Sequence, residues 1–212
     1  MKIKWLGHSC FLITSSAGVR ILTDPFDSTV GYKVPEVEAD IVTTSHDHYD
    51  HNYVKAVKGE FVHLHTAGQH NVKGIEITGV DTFHDEAGGS KRGNNIVFTF
   101  LVDGIKICHL GDLGHILTDG QLEQIGQTDI LLLPVGGTYT IDYMQATELA
   151  TIMNPRLVIP MHYKTPVMNF NIDGVDKFLD NKVSVQSLDS PELEVSLDSL
   201  HSLAEVVVLD YE

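Results

Sequence analysis

Short apolar stretches separated by turn residues open the chain, which is the mark of strands. Residues 2–6, 10–14 and 19–23 read as three short strands, with Ser15-Ser16-Ala17-Gly18 as the turn between the last two. Residues 26–39 lose the pattern, carry Gly31, Pro35 and several acids, and suit a surface loop. A strand over 40–44 follows, then a polar loop and a short helix through Val54, Ala56 and Val57. Further strands are expected over 60–65 and from Ile75 to Phe83. Residues 96–102 and 105–110 alternate cleanly around Asp103-Gly104 and form a hairpin.

The second half changes rhythm. Thr118 or Asp119 can cap a helix through Leu122 and Ile125, and Asp129 to Pro134 is apolar enough for a central strand. A helix over about 142–153, with Thr140 as its cap, leads to a buried strand from Arg156 to Met161. A short helix over 173–180 and strands over 183–185 and 206–208 close the chain. Strands dominate early and strand–helix alternation appears late, so the pattern alone says mixed α and β. No 20–50-residue repeat or linker interrupts it, and residues 1–212 are expected to form one domain.

Composition narrows the partners. The chain has 29 acidic against 14 basic residues, a net charge of −15, which disfavours a long nucleic acid because that needs a continuous basic footprint. A small anionic substrate stays open, since bulk charge is screened beyond about 8–10 Å. No apolar run approaches the roughly 20 residues that span a bilayer. The first residues read as an immediate strand, without the apolar core of a leader. Cys10 and Cys108 lie in apolar strands and read as buried thiols, and the expected location is the cytoplasm.

The chemistry concentrates in Ser45-His46-Asp47-His48-Tyr49-Asp50-His51, directly after the strand Ile41-Val42-Thr43-Thr44. His46 and His48 are two apart, so in extended backbone both rings leave on one side. Asp50 and His51 follow where a turn can swing them toward a second point. One tetrahedral ion could not use all four and keep a position open, whereas two ions about 3.5–4 Å apart could. His8 and Asp24 either support such a site or merely pack between strands and start a turn. His63 and His65 share a strand face without partner acids and read as two exposed histidines.

The spacing His-x-His-x-Asp-His resembles the signature of the metallo-β-lactamase superfamily. His84 in Thr82-Phe83-His84-Asp85, Asp112 in Leu110-Gly111-Asp112 and His162 in Ile159-Pro160-Met161-His162-Tyr163 complete the resemblance in order. It implies an α+β, four-layer αββα sandwich with metals between the edges of two sheets. It further implies that His46, His48 and His84 hold a first ion, that Asp50, His51 and His162 hold a second, and that Asp112 bridges them. Nitrogen and oxygen ligands without cysteine suit Zn²⁺, with Mn²⁺, Fe²⁺ or Ni²⁺ as alternatives. A metal-bridging hydroxide would then attack an ester, lactone or phosphoester bond of a small molecule.

Asp50 is the expected catalytic carboxylate. His115, three residues past Asp112, is the expected acid for the leaving group. The glycine-rich segment from Asp85 to Asn95 reads as a substrate loop in which backbone amides, Lys91 and Arg92 hold an anion. His109 reads as a packed histidine. Trp5-Leu6-Gly7-His8, Gly88-Gly89 and Leu133-Pro134-Val135-Gly136-Gly137 resemble a branch of small metal-dependent hydrolases related to L-ascorbate 6-phosphate lactonase and, more distantly, to N-acylphosphatidylethanolamine phospholipase D. A phosphodiesterase or nuclease of the same fold is the alternative. A diiron oxidoreductase fits less well, because it would place a carboxylate at His48 and add a flavodoxin-like domain. Homo-oligomerisation is left open.

Overall fold

The computed structural model describes residues 1–180 and 182–211. The early apolar stretches build β1 (Lys2–Gly7), β2 (Cys10–Thr14), β3 (Arg20–Thr23), β4 (Ile41–Thr43) and β5 (Val62–Leu64). With β13 (Glu192–Glu194) they make a mixed sheet ordered β13-β1-β2-β3-β4-β5. The second sheet contains β6 (Gly68–Val72), β7 (Ile75–Phe83), β8 (Asn94–Val102), β9 (Ile105–His109), β10 (Ile130–Pro134), β11 (Leu157–Met161), β12 (Val185–Ser187) and β14 (Val206–Val208). Its order is β12-β14-β11-β10-β9-β8-β7-β6.

The two sheets pack through one apolar core. Ile3, Trp5, Phe11, Ile13, Ile21 and Ile41 from the first meet Ile77, Phe98, Phe100 and Ile107 from the second, all essentially buried. The alternate positions Leu6, Cys10, Leu22 and Val42 face outward and are covered by Phe26, Val30, Tyr32, Met168 and Ile172. That cover comes from irregular segments and two 3₁₀ turns, Ser28–Val30 and Val54–Ala56. Near the second sheet lie α1 (Asp119–Ile125), α2 (Tyr143–Met153) and the short α3 (Asp176–Leu179). The single-turn α4 (Leu197–Leu200) precedes β14. Two mixed sheets with few helices match the expected sandwich, with a thin outer layer over the first sheet.

Local differences have local causes. The helix expected at 54–57 is one 3₁₀ turn, too short to propagate. Asp142, not Thr140, caps α2: its carboxylate accepts from Met144 N and Gln145 N, both at 2.9 Å, while the Thr140 hydroxyl turns to the Ile141 carbonyl. The strand expected at 60–65 is three residues long, and that at 183–185 shifts to Val185–Ser187. β6 and β13 were not expected. Gly-Gln-His-Asn-Val and Glu-Leu-Glu carry little apolar signal, and backbone pairing with β7 and β1 makes them strands. Cys10 and Cys108 are buried free thiols, and burial pushes Cys108 up to about 12. Among the described residues, no helix is long and apolar enough to cross a membrane.

Register is what positions chemistry. β3, β4 and β5 run parallel with Thr23, Thr43 and Leu64 level, so the residues after β3 and β4 emerge side by side. β9, β10 and β11 are also parallel, with His109, Leu132 and Ile159 level. The chain leaving their carboxyl ends therefore reaches one edge, the usual site for ligands in such sheets.

Candidate metal centre

Five segments converge at that edge. The loop after β4 carries His46 to His51, where the amides of His51 and Asn52 both donate to the His48 carbonyl, at 2.9 and 3.0 Å. This turn swings His51 back beneath the first two histidines. His84 follows β7, Asp112 follows β9, and His162 follows β11. The fifth segment is the tight turn Gly7-His8-Ser9 between β1 and β2, which pushes the His8 ring, fully buried, into the same cluster.

The ligand atoms of His46, His48 and His84 lie within 4.8 Å of one another. So do those of His8, His51 and His162. Asp112 stands between the two sets. Its Oδ2 is 3.3 Å from His84 Nε2 and 3.2 Å from His162 Nε2, and its Oδ1 is 3.3 Å from His51 Nε2. Asp50 Oδ2 lies 3.6 Å from His51 Nε2 and 3.2 Å from His8 Nε2. All seven residues of the predicted ligand set are thus brought together, with His8 added.

Asp24 organises the rear of the cluster. Its Oδ1 accepts from the Ser45 amide at 2.7 Å, and its Oδ2 accepts from the Ser45 hydroxyl at 2.6 Å and from His51 Nδ1 at 2.8 Å. Because the Ser45 hydroxyl proton goes to Asp24, its oxygen is left to accept from His46 Nδ1, 2.9 Å away. His46 thereby carries its proton on Nδ1 and turns a bare Nε2 inward, while His51 spends an Nδ1 proton on Asp24 and aims Nε2 at Asp112, the orientation a metal ligand needs. Ser45 was missed in the sequence. Nothing in its residue type separates it from any other loop serine.

The backbone is strained where it matters. His8, Asp24 and His162 have φ of 54°, 40° and 50°, in the left-handed region that non-glycine residues avoid. Such residues cost of order 1–3 kcal/mol each and persist only where neighbours enforce them. Here the His8 carbonyl accepts from Trp5 Nε1 at 3.0 Å and from the His162 amide at 3.1 Å, tying two of the strained residues together. Gly111 has φ 57°, and a Cβ there would sit 2.4 Å from Asn95 Oδ1 and 2.5 Å from Ser45 Cβ. Its absence lets the Asp112 turn press against the His46 loop. Asn95 then accepts the Asp112 amide at 2.9 Å and donates to the Leu110 carbonyl and the Thr82 hydroxyl. By sequence Asn95 ends the glycine-rich loop, whereas the fold places it in β8 beneath the Asp112 turn.

Charge follows burial and neighbours. Burial lowers His46 and His84, and burial together with His162 takes His8 down to about 4. Burial would also lower His51, but Asp112 and Asp50 outweigh it and raise it well above its ordinary value. Burial would raise Asp112, yet His162 and His51 hold it well below the usual carboxylate range. Buried His46 Nε2 and Asp112 Oδ1 have no hydrogen-bond partner, although polar atoms at this depth ordinarily do. Inward lone pairs of imidazole and carboxylate, left unsatisfied and clustered, fit divalent cations.

A cavity of about 390 Å³ opens over the cluster, lined by His48, Asp50, His84, Asp112 and His162 and walled by Tyr49, Tyr139, Phe170 and Arg92. A wider groove of about 900 Å³ adjoins it on the His46–His48 side, with His63, His65 and Arg92 in its walls. Arg92 Nη2 donates to the Thr138 carbonyl at 3.0 Å, and the guanidinium lies over the Tyr139 ring.

Three expectations need correction. Lys91 does not line the cavity; its ammonium pairs with Glu86. His115 does not either. Its Nδ1 donates to the Ile116 carbonyl at 2.8 Å and its Nε2 accepts from the Phe83 amide at 3.2 Å, so both nitrogens are held by backbone. The glycine-rich loop is not an open anion nest, because Asp85 already occupies it. The Asp85 carboxylate accepts from the amides of Ala87, Gly89, Lys91 and Arg92 at 2.7–3.0 Å. Burial raises its pKa, but these four donors prevail and hold it at about 2. His109 is packed as expected, donating to the Ser9 carbonyl and accepting from the Gly111 amide. His65 is exposed, while His63 is partly covered and hydrogen-bonds the Thr44 hydroxyl.

Known proteins resemble this chain in sequence and in fold. A metal-dependent hydrolase of the UPF0173 family from Methanosarcina barkeri is 33% identical over 78% of this chain and 84% of its own. The crystal structure of a candidate Zn-dependent hydrolase of the metallo-β-lactamase superfamily from Thermotoga maritima is 44% identical, covers 100% of this chain and 99% of its own, and superposes with a TM-score of 0.84. An isothiocyanate hydrolase from Delia radicum gut bacteria shares the fold alone, at 14% identity, 98% and 95% coverage and a TM-score of 0.65. The Beta-lactamase superfamily domain matches residues 2–162, from β1 through His162. With the two-sheet sandwich and the histidine–aspartate cluster at its edge, this chain belongs to the metallo-β-lactamase superfamily as a metal-dependent hydrolase.

Proposed function

We propose that the chain hydrolyses an ester, lactone or phosphoester bond of a small anionic molecule, using two divalent ions of which Zn²⁺ suits the donors best. His46, His48 and His84 would hold the first ion, His51, His162 and Asp50 the second, and Asp112 would bridge them. The observation that carries this reading is Asp112 itself, a buried carboxylate with one oxygen within 3.3 Å of both His84 and His162. Bound divalent ions would supply a water activated at neutral pH and would offset charge on the developing oxyanion.

The chain's own groups do the rest. Asp50 lines the cavity and is the carboxylate available to take a proton from the attacking water and return it to the leaving oxygen. Arg92 is held by Thr138 and Tyr139 with other guanidinium N–H groups left to meet an anionic group of the substrate. Tyr49, Tyr139 and Phe170 wall the cavity with aromatic surface, which limits bulk water around the reacting centre.

The test is elemental analysis after anaerobic loading, followed by a panel of anionic and neutral lactones, phosphodiesters, thioesters and amides. The expected outcome is two ions per chain and turnover of anionic esters or phosphoesters. No more than trace metal after loading, or a loaded protein that prefers the neutral members, overturns the proposal.

A further inference from the structure

His8 is the one histidine of the cluster that lies outside the His-x-His-x-Asp-His spacing and its three downstream partners, and its geometry is that of a ligand. Its Nε2 is 3.1 Å from His51 Nε2 and 3.2 Å from Asp50 Oδ2. The ordinary reading is a hydrogen bond from His8 to Asp50. It leaves a second contact unexplained. His51 gives its Nδ1 proton to Asp24 and aims Nε2 at the same His8 atom, so two imidazole nitrogens and a carboxylate oxygen converge on one small volume. A cation in that volume is the partner all three donor atoms can share.

The spacings agree with that cation. A tetrahedral ion with metal–nitrogen distances of 2.0–2.1 Å has donor–donor edges of about 3.3 Å. His8 Nε2 is 3.1 Å from His51 Nε2 and 3.2 Å from Asp50 Oδ2, and His51 Nε2 is 3.3 Å from Asp112 Oδ1. The donor atoms of His8, His51 and His162 also lie within 4.8 Å of one another. The backbone is built to hold this position. The left-handed His8 hands its carbonyl to the amide of the equally strained His162, and the two rings lie 4.4 Å apart.

We infer that His8 is a further direct ligand of the second ion, beside His51, His162, Asp50 and Asp112. This rests on the two-ion reading above. The second site thereby matches the first, with three imidazoles on each side of one carboxylate.

The experiment uses the full chain, stripped of metal and titrated with Co²⁺, with absorption spectra and the paramagnetically shifted imidazole N–H signals followed together. The wild type is expected to bind two equivalents and show six such signals, from His46, His48, His84, His8, His51 and His162. Five would remove His8 from the ligand set without any variant being made. His8→Ala should keep one equivalent at wild-type affinity and loosen the other by more than the roughly 10–100-fold that losing an outer partner costs. His8→Gln keeps an N–H donor for Asp50, so restored second-site affinity and an unchanged spectrum in that variant would show a mere hydrogen bond. A wild type that binds a single ion defeats the two-ion reading itself, a different outcome from two ions and five signals.

Discussion

Asp24→Asn tests the organisation of the site from a residue that need not touch a metal. The carboxylate accepts three hydrogen bonds, two of them at Oδ2, from the Ser45 hydroxyl and His51 Nδ1. Asn can keep its carbonyl toward the Ser45 amide, but an NH₂ then faces two donors. The Ser45 hydroxyl can rotate away. The His51 ring can answer only by moving its proton to Nε2, the atom that faces Asp112 and His8. A protonated Nε2 cannot bind a cation, so the second ion should loosen by about 10–100-fold, or roughly 1.4–2.8 kcal/mol. The first ion should weaken less, because His46 reaches Asp24 only through Ser45. The metal-free protein should also lose about 1–3 kcal/mol for buried groups left unpaired, a drop of roughly 2–12 °C in Tm at this size. Competition against a chromophoric chelator, with thermal melts of the stripped protein, measures both. Wild-type affinity for two ions in Asp24→Asn would refute the tautomer argument.

Asp112→Asn should weaken both ions and lower the rate by several orders of magnitude while the fold survives, since the core lies in the strands; unchanged two-metal binding shows that it is not the bridge. Arg92→Ala should raise KM for anionic substrates more than for neutral ones, and equal effects would reduce Arg92 to a contact of Thr138 and Tyr139. His115→Ala should leave kcat of the metal-loaded protein within a few-fold, because both ring nitrogens serve backbone; a loss of about 10²-fold, the scale of an acid–base group, would return it to the chemistry. Asp85 has its carboxyl depressed from 3.8 to about 2, so what it adds to loop order is complete above about pH 4 and is lost as pH falls through about 2. The amide shifts of Gly89 and Arg92 should follow that lower midpoint, and titration near 3.8 would mean the four-donor shell does not form.

Local pattern carried a large share of this protein. Short apolar stretches between turn residues mark β1, β2, β3 and β8, and the apolar run Ile130–Pro134 marks a strand buried on both faces. The dense histidines after β4, with His84, Asp112 and His162 after later strands, announce a metal centre from residue type and spacing alone. What the chain could not announce locally depends on separations of tens of residues. Asp24 reaches Ser45 because β3 and β4 pair in parallel and in register. His8 joins the cluster because its strained turn is pinned to the loop of His162. His115 and Lys91 sit close to ligands in sequence yet face elsewhere, since backbone carbonyls, amides and Glu86 satisfy them. The glycine-rich loop looked open to an anion because nothing local reveals that Asp85 closes it. Candidate metal donors are legible in residue type, whereas their orientation, backbone strain and access are decided by partners that only the folded sheets bring into reach.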